Sequence, residues 1–256
     1  MDSRLKKIIQ AAESGGRVLK KYFGQTMELQ EKSTVSDFRT EADLESEAVI
    51  LKILSREFPD YNIFSEEKGM IDKKSDYTFV VDPMDGSNNF VLGIPNFSVC
   101  IALLKDDKVI SSVIHSPILN QTYCAAKGKG AFLEKKKLRV NKEVDIKRAN
   151  VVYTCGYINS KEYANNLIKR LNERQVKRIL TNWSPALDFC LLASGKIEAI
   201  INNDNEIYDY IAGKLIAKEA GALISDFKGR QEKNDKNSIF LASNGTEIHE
   251  QLLKIL

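Results

Sequence analysis

The sequence predicts an α+β fold in which sheets and helices stack in layers. Three observations support this. The first half carries two amphipathic helix patterns and then a series of short apolar segments spaced closely enough to pair as antiparallel hairpins. The second half alternates strand and helix signals, the pattern that lays helices on a sheet. The chain has 256 residues, 43% hydrophobic and 29% charged, enough for a large core with no apolar run of membrane-spanning length.

The first helix spans 3–23, where Leu5, Ile8, Ile9, Ala12, Leu19, Tyr22 and Phe23 share one face. Gly15-Gly16 weakens its middle and suits a close helix contact. Residues 24–38 are polar and mixed, a loop or irregular hairpin. The second helix, Thr40–Phe58, is expected to bury Leu44, Ala48, Leu51, Leu54 and Phe58, and Pro59 stops it. Its start, Thr40-x-x-Asp43, fits a capping box with Asp in the Glu/Gln position. Tyr61–Phe64 reads as a strand ending at Ser65-Glu66-Glu67, followed by a charged loop, 68–76. Strands are expected at 78–81, 96–104, 108–115 and 121–126, with a last hairpin at 128–140 whose turn carries Lys135–Lys137.

In the second half, strands are expected at 151–156, 176–180, 196–201, 222–225 and 238–242. Helices are expected at 161–171, 185–194, 208–220 and 247–256, with Gly221 ending the third of these. No repeat or linker stands out, so 1–256 reads as one unit with its softest boundary near 142–150.

Net charge is only +3, too small for a nucleic-acid footprint, and the lysine run reads as a solvated face. Cys100, Cys124, Cys155 and Cys190 form no CxxC and read as reduced thiols of a cytoplasmic protein. No signal peptide is visible, and no membrane association is expected.

The chemistry centres on Val80–Phe90, VVDPMDGSNNF. A β-branched strand delivers Asp82 at its end, and Pro83 biases Asp82 to an extended backbone. Asp85-Gly86 is a turn dipeptide, and Ser87, Asn88 and Asn89 can each cap a helix whose free N–H groups attract phosphate. Two carboxylates so close repel unless a cation lies between them, and hard oxygen ligands favour Mg²⁺. On its own the stretch reads first as a surface turn, because Asp-Pro and Asp-Gly are common turn formers. Other carboxylates are needed to raise it to a site. Asp43 has a capping role available, and Glu66 sits at a strand end beside the strand of Asp82. Near the start of the 208–220 helix, Asp204, Glu206 and Asp209 are equivalent by spacing alone.

The same stretch resembles the signature of the inositol monophosphatase family, a strand followed by D-P-x-D-G-T-x-N-F. The resemblance extends along nearly the whole chain. TEADLESE resembles the family's T-x-A-D-x-x-x-E, at Thr40, Asp43 and Glu47. FPDYNIFSEE resembles the segment ending in its ligand glutamate, at Glu66. ALDFCLLASGKIEA and IYDYIAGKLIAKEAGA resemble two further motifs, the second of which selects Asp209.

The resemblance implies a five-layer αβαβα sandwich, usually a homodimer, that hydrolyses phosphate monoesters with two or three Mg²⁺ ions and is lithium-sensitive. It implies one ion on Glu66, Asp82 and the Met84 carbonyl, a second on Asp82, Asp85 and Asp209, and a weaker third near Glu66. Water activated by the ions would be the nucleophile. Glu66 and Ser87 would orient it, with Asp43 behind Ser87, and Gly86 and Ser87 would hold the phosphate. Asp85, Ser184 and Asn202 complete the implied substrate contacts. His115 and His249 lie outside every motif and are expected to be structural or surface residues.

Departures from the pattern bear on the substrate. Ser87 stands for threonine and Tyr208 for tryptophan. Trp183-Ser184-Pro185 replaces the small G-S/T-A segment, and Asn202 stands where well-studied relatives place a glutamate. The expected substrate is therefore a small phosphorylated polyol or sugar, inositol 1-phosphate first. The sister activities are fructose-1,6-bisphosphatase, histidinol phosphatase and bisphosphate nucleotidase. A regulatory role with RNA or the transcription machinery is the non-enzymatic alternative.

Overall fold

The structure is a computed structural model that describes residues 3–34, 37–157 and 160–256. Two helices, α1 (Ser3–Tyr22) and α2 (Glu41–Glu57), flank a two-stranded hairpin of β1 (Gln30–Glu31) and β2 (Phe38–Arg39). There follow β3 (Asn62–Ser65), β4 (Gly69–Ile71), β5 (Tyr77–Asp85), a short α3 (Ser87–Val91), β6 (Ser98–Lys105), β7 (Lys108–Ser116), β8 (Gln121–Ala126), β9 (Gly130–Leu133) and β10 (Lys136–Lys137). After a 3-10 turn at Ile146–Arg148 come β11 (Asn150–Cys155), α4 (Lys161–Glu173), β12 (Arg178–Leu180), α5 (Pro185–Ala193), β13 (Ala199–Asn203), α6 (Ile207–Glu219), β14 (Leu223–Ser225), β15 (Ile239–Ser243) and α7 (Glu247–Leu253).

The eight-stranded sheet runs β10-β9-β8-β7-β6-β5-β3-β4, and the five-stranded sheet β12-β11-β13-β15-β14. The first is antiparallel except for β3 beside β5. In the second, β12, β11 and β13 are parallel.

Period-two alternation along the strands builds the layers. Val99, Ile101 and Leu103 of β6 face a core shared with α1 and α2. Cys100, Ala102 and Leu104 face α5 and α6 on the other side. Ile200 of β13 and Phe240 and Ala242 of β15 close that middle core from the second sheet. Ala199, Ile201 and Leu241 turn outward to α4 and α7. The result is five layers, αβαβα.

Several expectations shift. The charged segment after Glu67 is not all loop, since β4 pairs there with β3. β13 begins later than expected, at Ala199, and α7 stops at Leu253. Ala220 is the C-cap of α6, and Gly221 follows it at φ +98°, where glycine is favoured.

The larger correction concerns α2. Leu44 and Ala48 are exposed, and the buried face instead carries Ala42, Asp43, Ser46, Glu47, Ile50 and Leu54. Three polar residues lie on that face because it looks onto the site described below, so the apolar stripe misplaces it.

Both histidines are buried and structural. His115 Nδ1 lies 3.0 Å from Thr122 Oγ1, and His249 sits between the hydroxyls of Ser225 and Ser243. The four cysteines are free thiols, of which Cys155 is exposed. Among the described residues no helix is long and apolar enough to cross a membrane.

Candidate metal centre and active site

The site is built on an irregularity in β5. Asp82 was expected to end the strand, but the strand continues through Pro83 and Met84 to Asp85. Residues three apart in a regular strand point to opposite faces. Here Asp82 pairs with Cys100 and Asp85 with Ser98, three residues against two, so a bulge absorbs one residue. Ser98 and Cys100 share a face, and so Asp82 and Asp85 do too. That face looks toward α5 and α6. Proline is tolerated in such a bulge, and the Pro83 carbonyl accepts from Ser46 Oγ of α2 at 3.0 Å.

Asp85 is held from three sides. It accepts from Ser184 Oγ at 2.5 Å and Ser98 Oγ at 3.2 Å, and the Ala186 N–H at the start of α5 also donates to it. All these bonds leave its Oδ1 buried with no protein partner. Gly86 then turns the chain at φ +94°, and a β-carbon there would lie 2.9 Å from the Asn96 carbonyl oxygen. Only glycine suits both constraints.

Asp209 arrives from the first turn of α6. Its Oδ2 accepts from the Glu206 N–H at 3.1 Å. Ligand atoms of Asp82, Asp85 and Asp209 all lie within 4.8 Å of one another. Burial raises all three carboxyls, Asp85 to about 7 and the other two well above the ordinary carboxylate range. Mutual repulsion adds to the shift, with Glu66 acting on each of the three. Three carboxylates this close, two of them buried and one of these with an unpartnered oxygen, fit a cation bound by oxygen ligands.

Glu66 lies beside Asp82, its N–H on the Val81 carbonyl at 3.1 Å. Burial raises its carboxyl, and Lys32, 2.8 Å from Oε1, opposes the shift. The turn carrying it is fixed by Glu47 of α2, whose Oε1 accepts from Ser65 Oγ and from the N–H groups of Glu67 and Lys68.

Asp43 completes the capping box of α2 and also faces Ser87. Its Oδ2 accepts the N–H and hydroxyl of Thr40 at 2.7 and 2.6 Å, while Oδ1 faces Ser87 Oγ at 3.5 Å. Burial lifts its carboxyl to about 7 against those Thr40 bonds. Ser87 Oγ also donates to the Met84 carbonyl at 3.0 Å.

Two expected substrate contacts are engaged elsewhere. Ser184 is fully buried, and its hydroxyl donates to Asp85. Asn202 is fully buried as well, donating to the Ser238 carbonyl and accepting from Asn205. Their nearest polar partners are thus groups of the protein itself. Trp183, beside Ser184, is exposed at φ +53°.

A sequence model of the inositol monophosphatase family matches residues 1–256. The chain belongs to this family. It is 33% identical over 241 residues to the fructose-1,6-bisphosphatase/inositol-1-monophosphatase of Thermotoga maritima, covering 94% of this chain and 91% of that one. It is 35% identical over 240 residues to the Nus factor SuhB of Pasteurella multocida, covering 90% and 87%. Among solved structures, the extragenic suppressor protein suhB of Bartonella henselae matches with a TM-score of 0.92 at 28% identity, over 99% of this chain and 98% of that one. The inositol monophosphatase of Thermotoga maritima matches with a TM-score of 0.90 at 31% identity, over 99% and 96%. The protein is thus a metal-dependent phosphatase by family, with the αβαβα layers that its sequence motifs imply.

Sequence reasoning missed Lys32, which bonds Glu66 and Glu67, because a lone lysine in a polar loop carries no pattern. It also missed Ser98, although a serine at the start of an otherwise apolar strand is a usable signal.

Proposed function

We propose that this protein is a Mg²⁺-dependent phosphate monoesterase acting on a small phosphorylated polyol or sugar, with inositol 1-phosphate and fructose 1,6-bisphosphate as the leading substrates. The observation that carries this reading is the Asp82–Asp85–Asp209 cluster, Asp82 and Asp85 buried and Asp209 half-buried, with its unpartnered Asp85 oxygen. Asp82, Asp85 and Asp209 would hold one ion, and Glu66, Asp82 and the Met84 carbonyl another. A third, weaker ion would lie near Glu66, where Lys32 now sits. Bound ions would supply Lewis-acid charge and lower the pKa of water.

The chain's own groups do the rest. Asp43 Oδ1, facing Ser87 Oγ, is placed to take a proton passed through that hydroxyl. The N–H groups of Gly86 and Ser87, at the turn into α3, would hold the phosphate. Lithium would compete at the same carboxylates.

A homodimer is part of this proposal. Val91, Leu92, Ile94 and Trp183 are exposed apolar residues, and bonds from Asn89 and Asn96 to the Asn182 carbonyl tie their two segments together. A patch of this kind calls for cover. A cytoplasmic location fits the free thiols.

A second reading, a regulatory partner of the transcription machinery, rests on the SuhB relatives named as Nus factors. The deciding experiment is phosphate release from a panel of inositol, sugar and nucleotide monoesters with and without Mg²⁺. Absence of Mg²⁺-dependent release from every member would defeat the enzymatic reading.

A further inference from the structure

Helix α6 is apolar over most of its buried surface, yet Lys214 stands in the middle of it with no exposure at all. Burying an ammonium is costly unless it is paired and hydrogen-bonded. Lys214 Nζ donates to Glu232 Oε1 at 2.6 Å and to the carbonyls of Asn237 at 2.6 Å and Asp235 at 3.2 Å. It also lies 3.9 Å from the Phe240 ring centroid and 4.8 Å from that of Tyr210. Lys218, one turn on, reaches Asp235 Oδ1 at 2.5 Å and Glu232 Oε2 at 3.4 Å. The far oxygen of Asp235 accepts from the Val109 N–H at 2.9 Å. Two lysines of one helix therefore draw the segment 232–237 against α6 from inside.

That segment leads into Ser238, which holds the turn before α6. The Ser238 carbonyl accepts from Asn202 Nδ2 at 2.6 Å and from the Asp204 N–H at 2.9 Å. Its hydroxyl donates to Asp204 Oδ1 at 2.7 Å. Asp204 takes φ +63°, a conformation that needs outside support in a residue with a side chain. Two residues later the Glu206 N–H donates to Asp209 Oδ2. The contacts are continuous from Lys214 through the 235–237 carbonyls, Ser238 and Asp204 to the amide that aims Asp209.

We propose that Lys214, with Glu232, is a positioning residue for Asp209, setting the affinity of the metal centre from within the helix that carries it. A methionine or leucine would pack among Phe240 and Tyr210 without the burden of a buried charge. What such a residue lacks is the grip on three separate acceptors that fixes the turn. The inference rests on the reading of Asp209 as a metal ligand, and the experiment separates the two.

The test is Mn²⁺ titration of the full chain, with free ion read by electron paramagnetic resonance, beside the Mg²⁺ dependence of phosphate release. Lys214→Met is expected to weaken Mn²⁺ binding about tenfold and to raise the Mg²⁺ concentration for half-maximal rate similarly, with kcat at saturating Mg²⁺ within about twofold. Leu252→Ala, in the distant α7, serves as a control that lowers stability alone. If Lys214→Met lowers the melting temperature as Leu252→Ala does but binds Mn²⁺ like the parent, the inference is overturned. Should Lys214→Met fail to fold, Glu232→Gln weakens the grip of Lys214 and Ser238→Ala removes the hydroxyl bond to Asp204, and unchanged Mn²⁺ affinity in both overturns the inference equally. Asp209→Asn tests the underlying reading. If it binds Mn²⁺ as the parent does, Asp209 is no ligand; if it loses binding while the Lys214, Glu232 and Ser238 variants keep it, only the positioning role fails.

Discussion

Gly16 of α1 and His115 of β7 are in direct contact, so close that a β-carbon on Gly16 would lie 2.4 Å from His115 Cδ2. Gly15 meets α2 in the same way, 2.6 Å from Ile50 Cδ1 by the same measure. The glycine pair thus lets one helix touch both a sheet and a second helix. Gly16→Ala is expected to cost about 1–3 kcal/mol by overpacking. Urea unfolding checks it, and a midpoint equal to the parent's would show that the imidazole can yield.

His115 itself carries a pH signature. Burial lowers its pKa to about 4, with Glu134 opposing and Arg17 assisting. The folded protein thus keeps a neutral ring where the unfolded chain, near 6.5, binds a proton. Stability therefore rises with pH between about 4 and 6.5 and is lost as pH falls through that window, by at most on the order of 3 kcal/mol. His115→Gln removes the titrating ring and should flatten the slope. Parallel losses in parent and variant would refute this account.

Asp85 links activity to stability with opposite signs. Its folded pKa, about 7, lies above the usual value because of burial. A raised carboxyl contributes stability that is present below the unfolded pKa and lost as pH rises through about 7. At pH 8 without divalent ions, Asp85→Asn should melt a few degrees higher than the parent. Phosphate release should fall at least about 100-fold. Glu66→Gln should also lose turnover with the fold intact. Near-normal rates in either variant would remove the metal centre from the mechanism.

The same raised carboxyls predict proton release. Asp82, Asp85 and Asp209 hold protons to higher pH than free aspartate does, and a metal ion must displace them. Mg²⁺ titrations at pH 7 in two buffers of different ionisation enthalpy should give different apparent heats. Identical heats would mean that the carboxylates are already ionised.

Ser184→Ala separates two roles for that hydroxyl. Because Ser184 donates to Asp85 and is fully buried, its loss should weaken Mg²⁺ activation about 10–100-fold. The KM at saturating Mg²⁺ should change little. A raised KM with unchanged Mg²⁺ dependence would return Ser184 to the substrate.

The layers were legible because strand alternation and the βα pattern of the second half obey simple periods. The Asp-Pro-x-Asp-Gly stretch was legible as chemistry, but its geometry was not. The bulge that turns Asp82 and Asp85 to one face depends on pairing with β6, which no local rule supplies. Hydrophobic periodicity points to Leu44 and Ala48 on α2 for a related reason: Asp43, Ser46 and Glu47 are buried for the site's sake. The partners of Asn202, Asn205 and Ser238, were not legible because they belong to turns of this chain that no motif describes.

The eight-stranded sheet ends at β10, two exposed residues long, Lys136 and Lys137. An open sheet edge offers unpaired backbone groups to any other strand. Two ammonium groups on the last rung repel the same edge of a second molecule, and the strand is too short to template a longer one. The lysine run thus guards against edge-to-edge aggregation. Exchanging both lysines for valine would leave the Asp82–Asp85–Asp209 cluster untouched and still risk losing the protein to insoluble assemblies.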